Sequence, residues 1–75
     1  MSAVNHPDHY SGKVECIDAI EAATEGLKGG EAFNIGNAIK YLWRWKWKGG
    51  RQDLEKAKWY IDRVIENMEE NENDA

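Results

Sequence analysis

The sequence contains a single cysteine, a single proline and no long hydrophobic segment. The lone cysteine, Cys16, excludes an intramolecular disulfide and leaves no cysteine pair for a zinc site. A membrane-spanning helix needs about 18 consecutive apolar residues, and the amino terminus lacks the apolar core of a signal peptide. We therefore expect a cytoplasmic protein with no membrane partner.

The 75 residues fit one domain. A domain of this size buries only about 60% of the surface that its unfolded chain exposes, so it usually needs a disulfide, a metal or self-association for stability. Because the first two are not indicated, we expect a homo-oligomer.

The net charge of −4 argues against a protein that binds long nucleic acids, which requires a basic surface. The acidity is concentrated at the carboxyl end, where five acidic and no basic residues follow position 65. By contrast, five cations and no acid lie between Lys40 and Arg51. We predict that residues 69–75 form an acidic disordered tail, because they offer nothing to bury.

Apolar residues recur at helical spacing in three segments, which predicts an all-α fold. Asp53 is expected to favour the positive amino end of the third helix. The core stripe of that helix is predicted to comprise Leu54, Ala57, Ile61, Val64, Ile65 and Met68. Residues 1–12 show no such period and are predicted to form an amino-terminal arm. Residues 13–68 form the single helical domain, with helices at about 13–25, 31–48 and from 53 onward. The glycines at 26, 29 and 30 and at 49 and 50 separate them. The last two helices are expected to form an antiparallel hairpin.

The stretch "KYLWRWKWKGG" alternates aromatic and cationic residues, but the apolar stripe of Ile35, Ile39 and Leu42 favours a helix over a strand. On that helix, polar and cationic side chains share the face opposite the stripe, and they suit the binding of phosphate oxygens. They are Asn37, Lys40, Tyr41, Arg44 and Lys48. The alternative is an ordinary solvated helix face.

Four tryptophans are too many for three short helices to bury. Exposed large aromatics mark protein interfaces or ligand platforms. We therefore expect Trp43, Trp45, Trp47 and Trp59 to form the oligomer interface, with base stacking as the alternative for one or two of them.

The amino-terminal "NHPDHY" holds both histidines. Because a usual zinc site takes three protein ligands in fixed geometry, we predict no metal here, although His6, His9 and Asp8 could begin one. Asn5, His6, His9 and Tyr10 suit contacts to a base or phosphate, and a plain structural turn is equally compatible with the composition.

The sequence has little that indicates catalysis. It lacks the G-x-x-x-x-G-K-[ST] phosphate loop and the G-x-S-x-G elbow, and Cys16 lies on an apolar stripe. His6 or His9 could act as an acid or base, but no partner is fixed. We assign no catalytic residue and no cofactor, and we favour binding over catalysis.

The motifs "NHPDHY", "ECID", "GNAIKYLWR" and "KAKWYIDR", taken in order, resemble a small domain of tailed-bacteriophage proteins. This is a domain of unknown function, and some members are described as phage nucleotide kinases. The resemblance covers about residues 4–65. It implies a phage-encoded protein that handles nucleotides in the infected host cell, through the arm residues above and Asn37, Lys40, Tyr41 and Arg44.

A kinase must bind donor, acceptor and usually magnesium together, which is demanding for so small a subunit. We therefore expect a phage protein that sequesters a nucleotide, specifically a cyclic or modified nucleotide of bacterial immunity. The alternatives are a nucleoside monophosphate kinase and a protein-binding inhibitor of a host enzyme.

Overall fold

The computed structural model describes residues 14–74, and in that range it contains three α-helices and no strand. Helix α1 spans Cys16–Thr24, α2 spans Gly29–Arg44 and α3 spans Gly50–Asp74. The prediction of an all-α fold with three helices is confirmed. The predicted arm, with Asn5, His6, His9 and Tyr10, lies outside the described residues.

Helix α1 ends at Thr24, where the threonine side chain hydrogen-bonds to the helix backbone and a glycine follows two residues later. The Thr24 hydroxyl donates to the Ile20 carbonyl at 2.7 Å. The Leu27 N–H then donates to the Thr24 carbonyl at 2.9 Å. Gly26 has φ +86°, in the left-handed region that glycine adopts without a steric penalty. The chain therefore reverses here and enters α2.

Helix α2 ends earlier than its sequence predicts. The predicted end was Lys48, but residues 45–49 form turns after Arg44. The Arg44 carbonyl accepts hydrogen bonds from both Trp47 and Lys48, at 3.2 and 3.1 Å, and the Gly50 N–H donates to the Trp45 carbonyl at 2.8 Å. These bonds tighten the last turn and bring the start of α3 back against the end of α2. The two glycines mark the chain reversal, as predicted.

Helix α3 is longer than expected. Its 25 residues extend to Asp74, so residues 69–74 are helical where the acidic composition predicted disorder. No glycine or proline follows Gly50, and glutamate is a good helix former, so nothing in the segment interrupts the helix. Residues 69–72 are exposed, as their lack of apolar side chains predicts, but composition did not determine the backbone conformation.

Helix α2 is the central element, because it packs against α1 on one side and α3 on another. Within residues 14–74, α1 and α3 do not contact each other. Helices α2 and α3 form the expected hairpin, with Ala38 buried on α2 and Ala57 and Val64 buried on α3. Small alanines at this contact let the helix axes approach closely.

The predicted apolar stripe of α3 is only partly buried, which corrects the expected core. Ala57 and Val64 are buried, whereas the larger members of the stripe remain exposed: Leu54, Ile61, Ile65 and Met68. The reason is the rotation of α3, which turns the line of Asp53, Ala57 and Val64 toward α2. A periodic pattern identifies a hydrophobic face, but not which edge of that face a neighbouring helix covers.

The contact between α1 and α2 depends on a glycine. A Cβ atom at Gly36 would lie 3.2 Å from Ile20 Cγ2, closer than ordinary van der Waals contact. Gly36 therefore sets how closely α1 approaches α2. Within the described part of the chain, no helix is both long and apolar enough to cross a membrane.

Candidate functional site

Four aromatic rings from α2 and α3 form one cluster. The Tyr41 and Tyr60 rings stack nearly parallel, with centroids 6.0 Å apart and planes 10° apart. Phe33 meets Tyr60 edge to face at 6.0 Å, and Trp59 does so at 5.1 Å. Tyr60 thus lies at the centre of the cluster and ties α3 to two aromatic residues of α2.

Three cations surround the Tyr41 ring. The Lys40 Nζ lies 4.6 Å from the ring centroid, the Arg44 Cζ 4.8 Å and the Lys56 Nζ 5.2 Å. Each distance is within the range of cation–π attraction, about 6 Å. Lys56 comes from α3 and the other two from α2, so the hairpin brings them together. We call this surface the aromatic–cationic face; it comprises Lys40, Tyr41, Arg44, Lys56, Trp59 and Tyr60.

Arg44 is held by a buried carboxylate. Its Nε donates to Asp53 Oδ2 at 2.9 Å and its Nη2 to Asp53 Oδ1 at 3.2 Å, a bidentate pair. Asp53 is only 1% exposed, and the Gly49 N–H also donates to its carboxylate. These hydrogen bonds, chiefly that from Arg44, lower the pKa of Asp53 below its ordinary value. The same pair raises the pKa of Arg44.

Gly49 is required by this ion pair. A Cβ atom at that position would collide with the Asp53 carboxylate. The first glycine of the "GG" pair therefore makes room for Asp53, while the second, Gly50, has φ +56° and provides the chain reversal. The Arg44 guanidinium is thereby fixed beside Tyr41, with part of its charge neutralised.

Lys40 and Lys56 are not neutralised in this way. Among residues 14–74, no carboxylate forms a salt bridge with either lysine. Lys56 lies close enough to Asp53 to help lower the pKa of that carboxyl. Counted over the described residues, the aromatic–cationic face therefore has net positive charge next to flat aromatic rings.

A shallow recess of about 290 Å³ opens on this face, lined by Tyr41, Lys56, Trp59 and Tyr60. Its walls combine three aromatic rings with one ammonium group. A second recess of about 320 Å³ lies on the other side of Trp59, lined by Trp59, Asp62, Arg63 and Glu66. The second has charges of both signs, so the first is better suited to a planar anion.

The structure brings together only some of the predicted site residues. Lys40, Tyr41 and Arg44 meet on the aromatic–cationic face. The Asn37 side chain instead donates to the Phe33 carbonyl at 2.9 Å within its own helix. Lys48 lies in the turn after α2 and is exposed. The predicted face is therefore shorter than its helical projection suggested.

The four tryptophans are distributed over different surroundings. Trp43 is half-buried, Trp45 and Trp47 lie in the turn after α2, and Trp59 is 59% exposed on α3. The Lys46 Nζ lies 5.7 Å from the Trp45 ring. Their proposed role as an oligomer interface stays a prediction.

Sequence reasoning missed Lys56 and Tyr60 as site residues and took Asp53 only for a helix-end charge. The available signal was spacing: positions 53, 56 and 60 recur at helical intervals along one side of α3. Placing that side against Tyr41 required the register of the hairpin, which periodicity does not give.

The described residues show no other cluster that indicates a reactive or metal centre. No three His, Cys, Asp or Glu residues in the described range are grouped to hold a metal ion. Burial raises the pKa of the Cys16 thiol, an effect that nearby Lys40 opposes. A raised pKa makes this thiol a poorer nucleophile.

Over the described residues, the fold is that of a small all-α protein with an aromatic–cationic face on a helical hairpin. Residues 4–62 match the family model of DUF3310, a protein family of unknown function, and the chain belongs to this family. No curated protein and no solved structure matches the chain.

Proposed function

We propose that this protein binds a nucleotide on its aromatic–cationic face and sequesters it without turnover. The observation that carries the proposal is the surroundings of Tyr41, where three cations lie within about 5 Å of one ring that is itself stacked on Tyr60. A nucleotide needs this combination, since it joins a flat base to a charged phosphate.

The base is the part that the recess accommodates. Aromatic side chains stack on bases with about 1 to 3 kcal/mol per base. Trp59 is exposed beside Tyr60, with the two rings at 84° to each other, so together they form a corner of two walls. A base that lies against the exposed face of Trp59 has Tyr60 at its edge.

The phosphate is the part that the lysines attract. Lys40 and Lys56 approach the Tyr41 ring from α2 and α3 and have no carboxylate partner in the described chain. Hydrogen bonds to charged groups contribute about 1.5 to 3 kcal/mol each. Arg44 presents its remaining N–H groups in a fixed orientation, because Asp53 holds the guanidinium in place.

A cyclic or modified nucleotide of bacterial immunity is our proposed ligand, and sequestration in an infected cell the proposed role. The phage setting comes from the resemblance of the sequence motifs. We prefer binding over turnover because the described lining of the recess offers stacking and charge, with no histidine or carboxylate among its four residues.

The test is to incubate the protein with a panel of mononucleotides and cyclic dinucleotides, measure binding by equilibrium dialysis, then denature the protein and identify the released compound by chromatography. We expect one class to bind and to be recovered unchanged. Recovery of a phosphorylated product when a nucleoside triphosphate is added would instead identify a nucleoside monophosphate kinase. No binding by any nucleotide would favour the protein-binding inhibitor.

A matched pair of variants locates the site. Lys56→Gln removes a cation of the face, whereas Lys58→Gln removes a neighbouring cation that is 79% exposed and forms a salt bridge with Asp62. We expect Lys56→Gln to weaken nucleotide binding by about tenfold or more, and Lys58→Gln to leave it unchanged. Equal effects of the two variants would mean that the lysines act only through net charge.

A further inference from the structure

A second surface of the hairpin is apolar and exposed. Four large side chains of α3 follow one another at spacings of seven, four and three residues and keep between 37% and 47% of their surface exposed. They are Leu54, Ile61, Ile65 and Met68. We call them the α3 stripe. Leu42 of α2 is also exposed, at 48%.

The α3 stripe lies on the opposite flank of the hairpin from the aromatic–cationic face. At about 100° per residue, its members are rotated by about 40 to 100° from Val64 in one direction, and Tyr60 and Lys56 by about 40 to 80° in the other. On α2, Leu42 and Tyr41 are likewise rotated to opposite sides of buried Ala38. The two surfaces therefore do not compete for the same space.

No described element covers the α3 stripe. Helix α1 packs on α2 and does not contact α3. A contiguous apolar patch of more than a few hundred Å² is uncommon on a monomer and marks an interaction site.

The size of this surface suits another copy of the chain. The α3 stripe runs for about 21 Å from Leu54 to Met68, and an antiparallel pair of α3 helices centred on Ile61 overlaps for about 33 Å. A strip of that length and two helix widths across covers on the order of 700 Å². This approaches the roughly 800 Å² per partner of a standard protein interface.

The charges beside the stripe specify the direction of pairing. Arg51 and Lys58 flank its amino-terminal half, where each forms a surface salt bridge with a carboxylate one turn later. Glu69 and Glu72 flank its carboxyl-terminal half, where no basic residue follows Arg63. A parallel pair would place acidic ends together, which is unfavourable. An antiparallel pair separates the acidic ends and places each of them beside the amino-terminal half of the other helix, where cations and carboxylates are mixed.

We infer that two copies of this chain form a two-fold symmetric dimer through antiparallel packing of their α3 stripes. With Ile61 at the symmetry axis, Leu54 of one copy meets Met68 of the other. A two-fold interface uses the same patch on both subunits, and this stripe is complementary to itself in that arrangement. This interface differs from the one predicted at the four tryptophans, and it does not depend on the proposed nucleotide.

Two α3 variants test the interface by analytical ultracentrifugation over a dilution series of the full chain. Ile65→Asp places a carboxylate in the stripe, and Trp59→Asp places one at an even more exposed position on the opposite flank, at 59% against 46%. We expect Ile65→Asp to raise the dimer dissociation constant by at least about tenfold and Trp59→Asp to leave it unchanged. A monomeric wild-type chain, or dissociation caused only by Trp59→Asp, would overturn the inference.

Cross-linking gives a second readout that does not depend on a destabilised variant. In a Cys16→Ser background, Ile61→Cys brings two thiols together at the symmetry axis, whereas Glu55→Cys places them on the outer side of α3. Mild oxidation should link the Ile61→Cys chains into covalent dimers far faster than the Glu55→Cys chains. Equal rates would contradict antiparallel pairing at Ile61. Equal rates are also the result expected if the chain's own first 13 residues cover the stripe.

Discussion

Tyr60 is expected to stabilise the hairpin through its ring contacts, and the change Tyr60→Leu isolates them. Leucine keeps an apolar side chain at the position but removes the aromatic pairs. Tyr60 contacts Tyr41 and Phe33 of α2, both at 6.0 Å, and Trp59 of its own helix at 5.1 Å. The Trp59 contact joins sequence neighbours and is available in the unfolded chain too, so only the two contacts to α2 count.

Each aromatic pair contributes about 0.5 to 1.5 kcal/mol beyond the burial of its surface. Phe33 is largely exposed, which weakens its share. We therefore expect Tyr60→Leu to lower the free energy of unfolding by about 1 to 2 kcal/mol. For a domain of this size, that corresponds to a fall in Tm of about 5 to 15 °C.

The assay is thermal unfolding followed by circular dichroism at one fixed protein concentration. Trp59→Leu is the matched control, because Trp59 is more than half exposed and its ring pairs only with Tyr60 among the ring contacts described. We expect the control to change Tm far less. A Tyr60→Leu variant with the same Tm as Trp59→Leu would refute the reasoning that the aromatic cluster holds α3 against α2.

Three further outcomes follow from the turn and from the α1 contact. Hydrogen bonds lower the pKa of Asp53, so the unfolded chain binds more protons than the folded chain near pH 4. The stability that the Asp53 carboxylate contributes is therefore present above the ordinary aspartate pKa of about 3.9 and is lost on further acidification. Asp53→Asn should flatten that part of a pH–stability curve measured by urea unfolding. Gly49→Ala should lower Tm markedly, since its methyl group displaces the Asp53 carboxylate from Arg44, whereas an unchanged Tm would show that the turn relaxes freely. Gly36→Leu should separate α1 from α2 and speed hydrogen exchange in α1, while Gly36→Ala should change Tm little, because a gain in helix propensity of about 1 kcal/mol offsets the tight contact with Ile20.

The helices of this protein could be predicted from the sequence because their signals are local. Apolar periodicity and the glycine pairs located three helices and both reversals to within a few residues. The end of α2 was missed by four residues, since it depends on how Asp53 returns to Arg44 across nine positions. Such a contact depends on the tertiary arrangement of the hairpin.

The candidate site could be predicted only on its α2 side. Lys40, Tyr41 and Arg44 share one helix, so their proximity follows from helical spacing. Lys56 and Tyr60 joined them only once the register of α3 against α2 was known. The same rotation determined which apolar residues of α3 became the core and which remained exposed, and for that reason only Ala57 and Val64 of the predicted stripe are buried.

Nucleotide binding on the aromatic–cationic face is tested most directly by NMR, with amide chemical shifts mapped during titration with the nucleotide that dialysis identifies. We expect the shifts that change with ligand to cluster at Tyr41, Lys56, Trp59 and Tyr60. Lys56→Gln should need at least about tenfold more nucleotide to reach the same shifts, and Lys58→Gln should need no more than the wild type. Shifts confined to the Trp45–Lys48 turn or to the α3 stripe, or no shifts at saturating nucleotide, would contradict binding on this face.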